Sequence, residues 1–279
     1  MRSFMSAICV LLAMAVSVVT VPLLWVATHV ADEDGYVELT EPLATDAELR
    51  KALAAYVASE LVAGAGVPEQ LRPVVATAIA TTAGRVAGRE GYVEAWNATQ
   101  RRSHRLTFGD VRDLSADQDA TDRFTIDLAP FATYLVSALD ALPITLEVPG
   151  QLLVSVNGAP ERQLVDRVKA SPGYATTGSV VVGLLVVLAL MLARRRSVVI
   201  VGLGVGAVVV AALVKVGVDE GVEQGLARAA APSDLARRLQ ELIADRAVDS
   251  LDGWLIWLAA GGVLVMLAGA LTRATSGRA

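Results

Sequence analysis

Residues 175–214 read ATTGSVVVGLLVVLALMLARRRSVVIVGLGVGAVVVAALV. Two apolar runs, 175–193 and 198–214, hold no charged residue and are separated by Arg194, Arg195 and Arg196. A helix of roughly 17–25 apolar residues crosses a hydrocarbon core, and in lipid an isolated segment satisfies its backbone only as a helix. The stretch therefore reads as two membrane helices joined by a tight, positively charged turn.

Two further runs of the same kind flank it, from Phe4 to about Val26 and from Trp254 to Leu271, again without Asp or Glu. The 279-residue chain is 54% hydrophobic and 19% charged, against roughly 45–50% and 25% in an average soluble domain. That composition excludes a disordered or collagen-like chain. The first run is longer than the roughly 7–15 residues of a signal-peptide core and no A-x-A site follows it. Ile8 is too bulky to precede a lipobox cysteine at Cys9, so the run is read as an uncleaved anchor.

The expected fold class is an α-helical membrane protein with four transmembrane helices, plus a mainly helical α+β extracytoplasmic domain inserted between helices 1 and 2. The boundaries are 1–28 for the first helix, 29–174 for the domain, 175–193 for the second helix and 194–197 for the arginine turn. They continue with 198–215 for the third helix, 216–252 for an extracytoplasmic segment with an amphipathic helix, 253–272 for the fourth helix and 273–279 for a tail.

Charge orients this arrangement. Arg2, Arg194, Arg195, Arg196, Arg273 and Arg278 lie in three short segments that hold no acid. All 29 Asp and Glu fall elsewhere: 21 acids against 13 bases in 27–174, and 8 against 4 in 216–252. The positive-inside rule places both termini and the arginine turn in the cytoplasm of a plasma membrane, with the domain outside. Trp25, His29, Trp254 and Trp257 fit an aromatic belt at the outer interface. Lys215, the one charge at membrane depth, is read as snorkelling to that boundary.

Within the domain, Thr45 and Glu48 form a capping-box pattern ahead of Leu49, Leu53, Tyr56, Val57 and Leu61, which predicts a helix stopped by Gly64 and Gly66. Pro68 opens a second helix through Leu71, Val74, Val75, Ala78, Ile79 and Val86, and Gly91 precedes a third from Tyr92 to about Thr107. An acidic loop follows, with Asp110, Asp113, Asp117, Asp119 and Asp122. Phe124–Leu128 reads as a short strand and Pro130 opens a helix through Tyr134 and Leu139, ended by Pro143. Alternation at Ile144, Leu146, Val148 and at Leu152, Val154, Val156 around Pro149-Gly150 predicts a β-hairpin. Leu164, Val165 and Val168 mark a helix leading into the second membrane helix. After Pro232-Ser233, the apolar face of Leu235, Leu239, Leu242 and Ile243 either lies on the membrane or docks on the domain; its mixed charge favours docking.

Catalytic parts are scarce. One cysteine and two histidines leave no disulfide, thiolate cage or histidine cluster. No catalytic residues, metal ligands or cofactor are assigned, and no basic arm for nucleic acid is present. The candidate binding patch is Trp96, Gln100, Arg101 and His104: the first, second and last recur every four residues and share a helix face. The plainer reading packs Trp96 in the core, lets Gln100 and His104 satisfy buried backbone groups, and pairs the arginines with the acidic loop. Asp32-Glu33-Asp34 and Asp219, Glu220, Glu223 are either a divalent-cation site or ordinary acids at helix ends. Gly202 and Gly206 form a G-x-x-x-G pair, a candidate for helix packing or dimerisation. Asp127 is a carboxylate without a second one at a meaningful spacing.

Tyr36-Val37, Pro42-Leu43-Ala44 with Asp46, the Trp96, Arg101 and His104 spacing, and Ile126-Asp127-Leu128-Ala129-Pro130 resemble a family of actinobacterial integral membrane proteins that carries no assigned activity. Its tryptophan segment reads W-x-x-A-N-R-x-A-H, from which this chain departs at Thr99, Gln100 and Ser103. The resemblance covers about the first 200 residues and implies a plasma membrane protein of a Gram-positive, GC-rich bacterium.

The functional expectation is a non-enzymatic membrane protein whose outer domain is an interaction or accessory module of the cell envelope. Its partners are the lipid bilayer and an envelope protein or a second copy of itself. A small transporter or channel component, or a membrane sensor of an external ligand, is the alternative.

Overall fold

A computed structural model describes residues 2–65, 67–86, 91–109, 125–138, 147–156, 162–228 and 231–276. In chain order the elements begin with α1 (Arg2–His29), α2 (Glu33–Thr40), a 3-10 turn (Glu41–Thr45), α3 (Ala47–Gly64), α4 (Arg72–Val86) and α5 (Tyr92–Phe108). They continue with β1 (Thr125–Asp127), α6 (Ala129–Ala138), β2 (Leu153–Ser155), α7 (Arg162–Leu192), α8 (Arg196–Arg228) and α9 (Asp234–Ser276). Two compact units result. The first comprises Met1–Ala31, Val168–Ala227 and Ala247–Ala279; the second comprises Asp32–Arg167 and Arg228–Arg246.

Among the described residues four helices are long and apolar enough to cross a membrane: Ser3–His29, Gln163–Leu192, Arg196–Gly225 and Asp234–Arg273. The chain is thus predominantly helical and fits a multi-pass membrane protein. These helices run past the expected ends. The third continues to Arg228, and the amphipathic stretch after Pro232 is part of the same helix as the fourth span. Ser233 Oγ accepts from Ala236 N at 3.1 Å to start α9. Residues 234–252 contain neither Gly nor Pro, so nothing local stops the helix.

In the first unit small residues bring the helices together. A Cβ on Gly204 of α8 would meet Gly262 O of α9 at 2.5 Å, and one on Gly206 would meet Met14 of α1 at 3.0 Å. Gly178 of α7 lies against Thr20 of α1, and Ser6 Oγ donates to Ala189 O at 2.8 Å. Large apolar side chains face outward: Leu184, Met191, Ile256 and Leu264 are each at least 65% exposed. Small residues inside and large ones outside reverse the pattern of a water-soluble bundle and suit helices solvated by acyl chains.

The second unit has an ordinary core. Leu49, Leu53 and Val57 of α3 meet Trp96 of α5 and Phe131 and Leu135 of α6. Leu235 and Leu239 belong to the same core, Gln240 Nε2 donates to Val156 O at 2.8 Å, and Arg238 lies 3.7 Å from Asp46. Of the two placements open to this amphipathic stretch, it packs into the domain. Ala58, Val62 and Ile79 form a smaller cluster between α3 and α4. α4 starts at Arg72, and Leu71 and Val74 are exposed instead of facing the core.

Two local expectations are corrected. The cap of α3 is Asp46, which accepts from Leu49 N at 2.7 Å, and Thr45 instead bonds Pro42 O. Pro42 lies at the start of a 3-10 turn that includes Thr45, so the extended N-cap conformation falls on the next residue. Of the hairpin expected around Pro149-Gly150, the described residues show the second arm paired with β1. Val148 is not in a strand, Ile144 and Leu146 lie outside the described residues, and β2 pairs antiparallel with β1 in the register Thr125↔Ser155, Ile126↔Val154 and Asp127↔Leu153. The acidic loop 110–122, Leu139 and Pro143 likewise lie outside the described residues.

Candidate functional site

Helix α5 carries the side chains nominated from the sequence. Gly91 opens it at φ +89°, a left-handed conformation that glycine adopts without a Cβ penalty. Four residues apart on the inward face stand Trp96, Gln100 and His104, with 1%, 1% and 6% of their surfaces exposed. The Trp96 indole donates to Thr40 O at 2.9 Å, satisfying a carbonyl that the C-terminal turn of α2 leaves free. The His104 ring packs against Tyr36 and Phe108, with centroids 5.4 and 4.8 Å away. Burial raises the Tyr36 hydroxyl to about 12.

Gln100 differs from its neighbours. Among the described residues neither its Oε1 nor its Nε2 has a hydrogen-bond partner, and the same holds for the Thr99 hydroxyl one residue earlier. A buried polar group left unpaired costs about 1–3 kcal/mol.

The arginines flank this face. Arg101 Nη1 lies 2.5 Å from Asp34 Oδ1 and 3.6 Å from Glu33 Oε1, and Arg105 lies 3.9 Å from Glu33. The hydrogen bond that Arg101 donates to Asp34, aided by the charge of both acids, raises the guanidinium above its ordinary value. These are exposed pairs, which contribute little. Their partners precede these arginines by about 70 positions, where the sequence suggested the acidic loop after the helix. Asp32, the third acid of that group, caps α2 by accepting from Gly35 N at 2.9 Å.

Arg102 turns to a buried partner. Its Nε is 2.6 Å from Oδ2 of Asp127, a carboxylate with no exposed surface, and its Nη2 donates to Gly150 O at 2.7 Å. The Nε contact is a charge pair. Asp127 Oδ1 accepts from Ala129 N at 3.0 Å and from Leu152 N at 2.9 Å. The backbone N of Asp127 donates to Ser103 Oγ at 3.0 Å, and Ser103 donates to Thr99 O at 2.6 Å. One carboxylate thus ties α5, β1, the start of α6 and the approach to β2. This explains why β2 pairs with β1: the bond to Leu152 N and the Leu128 N to Leu152 O bond, 2.8 Å, set the register. The structural role of Asp127, Arg102 and Ser103 went unread in the sequence. The signal was a lone acid inside the apolar run Ile126-Asp127-Leu128-Ala129-Pro130.

No family model, curated protein or solved structure matches this chain. Among the described residues no group of three or more His, Cys, Asp or Glu is placed to hold a metal ion.

In the first unit, Gly206 packs on Met14, whereas a Cβ on Gly202 would meet nothing within 4 Å. The tight glycine of this segment is Gly204, between the two nominated ones. Lys215 of α8 does not stand alone: its Nζ is 2.7 Å from Asp219 and 2.8 Å from Asp252 of α9. In the same unit the Trp25 ring stacks on His29, His29 meets Trp254 edge-on, and Trp25 Nε1 donates to Ser250 Oγ at 3.3 Å.

Proposed function

We propose that the chain is a plasma membrane protein with both termini in the cytoplasm, whose second unit is a non-enzymatic interaction or accessory module on the outer side of the cell envelope. The observation that carries this reading is how the domain uses its polar side chains. Asp127, Arg102, Ser103, Trp96 and Arg101 are each engaged in bonds that hold the domain's own backbone or acids. Groups committed in this way are poor candidates for proton transfer or nucleophilic attack, both of which need a group free to change partners. The charge distribution supports the orientation, since the acids lie in 27–174 and 216–252 and the arginine-only segments on the opposite side of the spans. The resemblance to actinobacterial membrane proteins agrees with the same location.

The Lys215 contacts weigh against the transporter alternative. An intramembrane cation is the usual mark of ion coupling, but here the ammonium pairs with Asp219 of its own helix and joins α8 to α9 through Asp252. Full-length protein purified in mild detergent is expected to carry a stoichiometric envelope partner or form a defined homo-oligomer. A solitary monomer that crosslinks to nothing in intact cells overturns the module reading.

A further inference from the structure

Where α1 passes the turn between α7 and α8, the helices leave a cavity of about 670 Å³, within the roughly 300–1,000 Å³ of small-molecule sites. It is asymmetric. Leu11, Met14, Val198 and Gly202 are among its apolar lining, and Arg194 and Arg195 stand among its lining residues at the turn. Gly202 widens it, since a Cβ there would project into open space.

The arginines here differ from those of the domain. Arg101, Arg102, Arg105, Arg237 and Arg238 each have a carboxylate within 4 Å. Arg194 and Arg195 are exposed and, among the described residues, have no ion pair. The residues of 1–26 and 175–214 contain no acid to neutralise them. The N-terminus of α8 begins beside them at Arg196, which adds the positive end of a helix dipole. An apolar groove with uncompensated positive charge at one end matches an amphipathic anion, and a membrane offers one in abundance.

We propose that this cavity is a binding site for one anionic glycerophospholipid, with an acyl chain along α1 and α8 beside Gly202 and the phosphate against Arg194 and Arg195. The proposal rests on the helices spanning a bilayer. It does not depend on which side the domain faces or on what the domain binds.

The test uses the delipidated full-length chain in detergent, titrated with phosphatidylglycerol or phosphatidylcholine and read by native mass spectrometry. One phosphatidylglycerol is expected to be retained in preference to phosphatidylcholine, and glycerol phosphate without tails is expected not to compete. Arg194→Gln with Arg195→Gln should weaken retention about tenfold or more, since each basic residue near an anionic surface contributes about a factor of five. These side chains are exposed, so the double variant keeps the fold. Gly202→Leu should block the acyl chain and reduce retention of both lipids, while Arg237→Gln in the domain should change nothing. Equal retention of the two lipids, or no effect of the arginine variants, overturns the proposal. So does a dimer that retains no lipid, which would show the groove to be filled by a second copy.

Discussion

Arg102 Nε lies 2.6 Å from Oδ2 of Asp127, whose carboxylate is fully buried and accepts two further backbone N–H bonds. Removing Asp127 leaves the N–H groups of Ala129 and Leu152 without their acceptor, at about 1–3 kcal/mol each, and removing Arg102 strands a buried carboxylate, at about 3–5 kcal/mol. Asp127→Ala is therefore expected to lower the thermal midpoint of the full-length chain in detergent and to expose the segment 147–156 to limited proteolysis. Arg102→Gln should also be clearly destabilising, because it leaves a carboxylate with no exposed surface without its cation, even though Oδ1 keeps its two backbone donors. Equal and negligible effects would contradict the linking role.

Gln100 gives a prediction of opposite sign. Its amide is buried and unpaired among the described residues, so replacing it with an apolar side chain of similar length removes a desolvation cost of about 1–3 kcal/mol. Gln100→Met should leave the thermal midpoint unchanged or raise it by a few degrees. A clear loss of stability would mean that the amide has a role its static surroundings do not reveal.

The membrane helices were legible because composition alone reports them: uncharged runs such as 175–193 and 198–214 have no other stable conformation in lipid. Their ends were less legible, since Arg, Glu and Ala after Asp234 propagate a helix as readily as apolar residues do. The cap of α3 was misplaced by one residue because Pro42 starts a 3-10 turn that only the folded chain displays. The partner of β2 was missed for a different reason: Asp127 and Leu152 are 25 positions apart, and a long-range bond leaves no periodic trace. In the candidate patch, shared spacing put Trp96, Gln100 and His104 on one face, but spacing does not tell whether a face points inward.

Alkaline pH should weaken the domain. Burial raises Tyr36 to about 12 and raises Tyr92 as well, with Tyr134 adding and Arg50 opposing, while an unfolded tyrosine ionises near 10. Below about pH 10 both states are protonated and stability is level. Between about 10 and 12 the unfolded chain loses protons that the folded chain retains, so stability falls with rising pH, by about 2–3 kcal/mol for Tyr36. A spectroscopic titration of the 5 tyrosines should show a late group, and Tyr36→Phe should shrink it. Uniform ionisation near 10 in the folded protein would contradict the burial.

Among the glycines of α8, neighbours decide the outcome. Gly204→Ala drives a Cβ toward Gly262 O and Met266 and should destabilise the helix pair. Gly217→Ala, with nothing within 4 Å, should be neutral or stabilising by up to about 1 kcal/mol. Unfolding of the full chain in mixed micelles measures both, and the reverse order would overturn the proposed α8 and α9 contact.

Topology is the most direct test of the account. The lone Cys9 is buried, so Cys9→Ala provides a background for single cysteines at the exposed positions Ser59 and Arg195. In intact cells a membrane-impermeant maleimide is expected to label Ser59→Cys at once and Arg195→Cys only after permeabilisation. Labelling of Arg195→Cys in intact cells, with Ser59→Cys protected, would place the domain in the cytoplasm and contradict the proposed function.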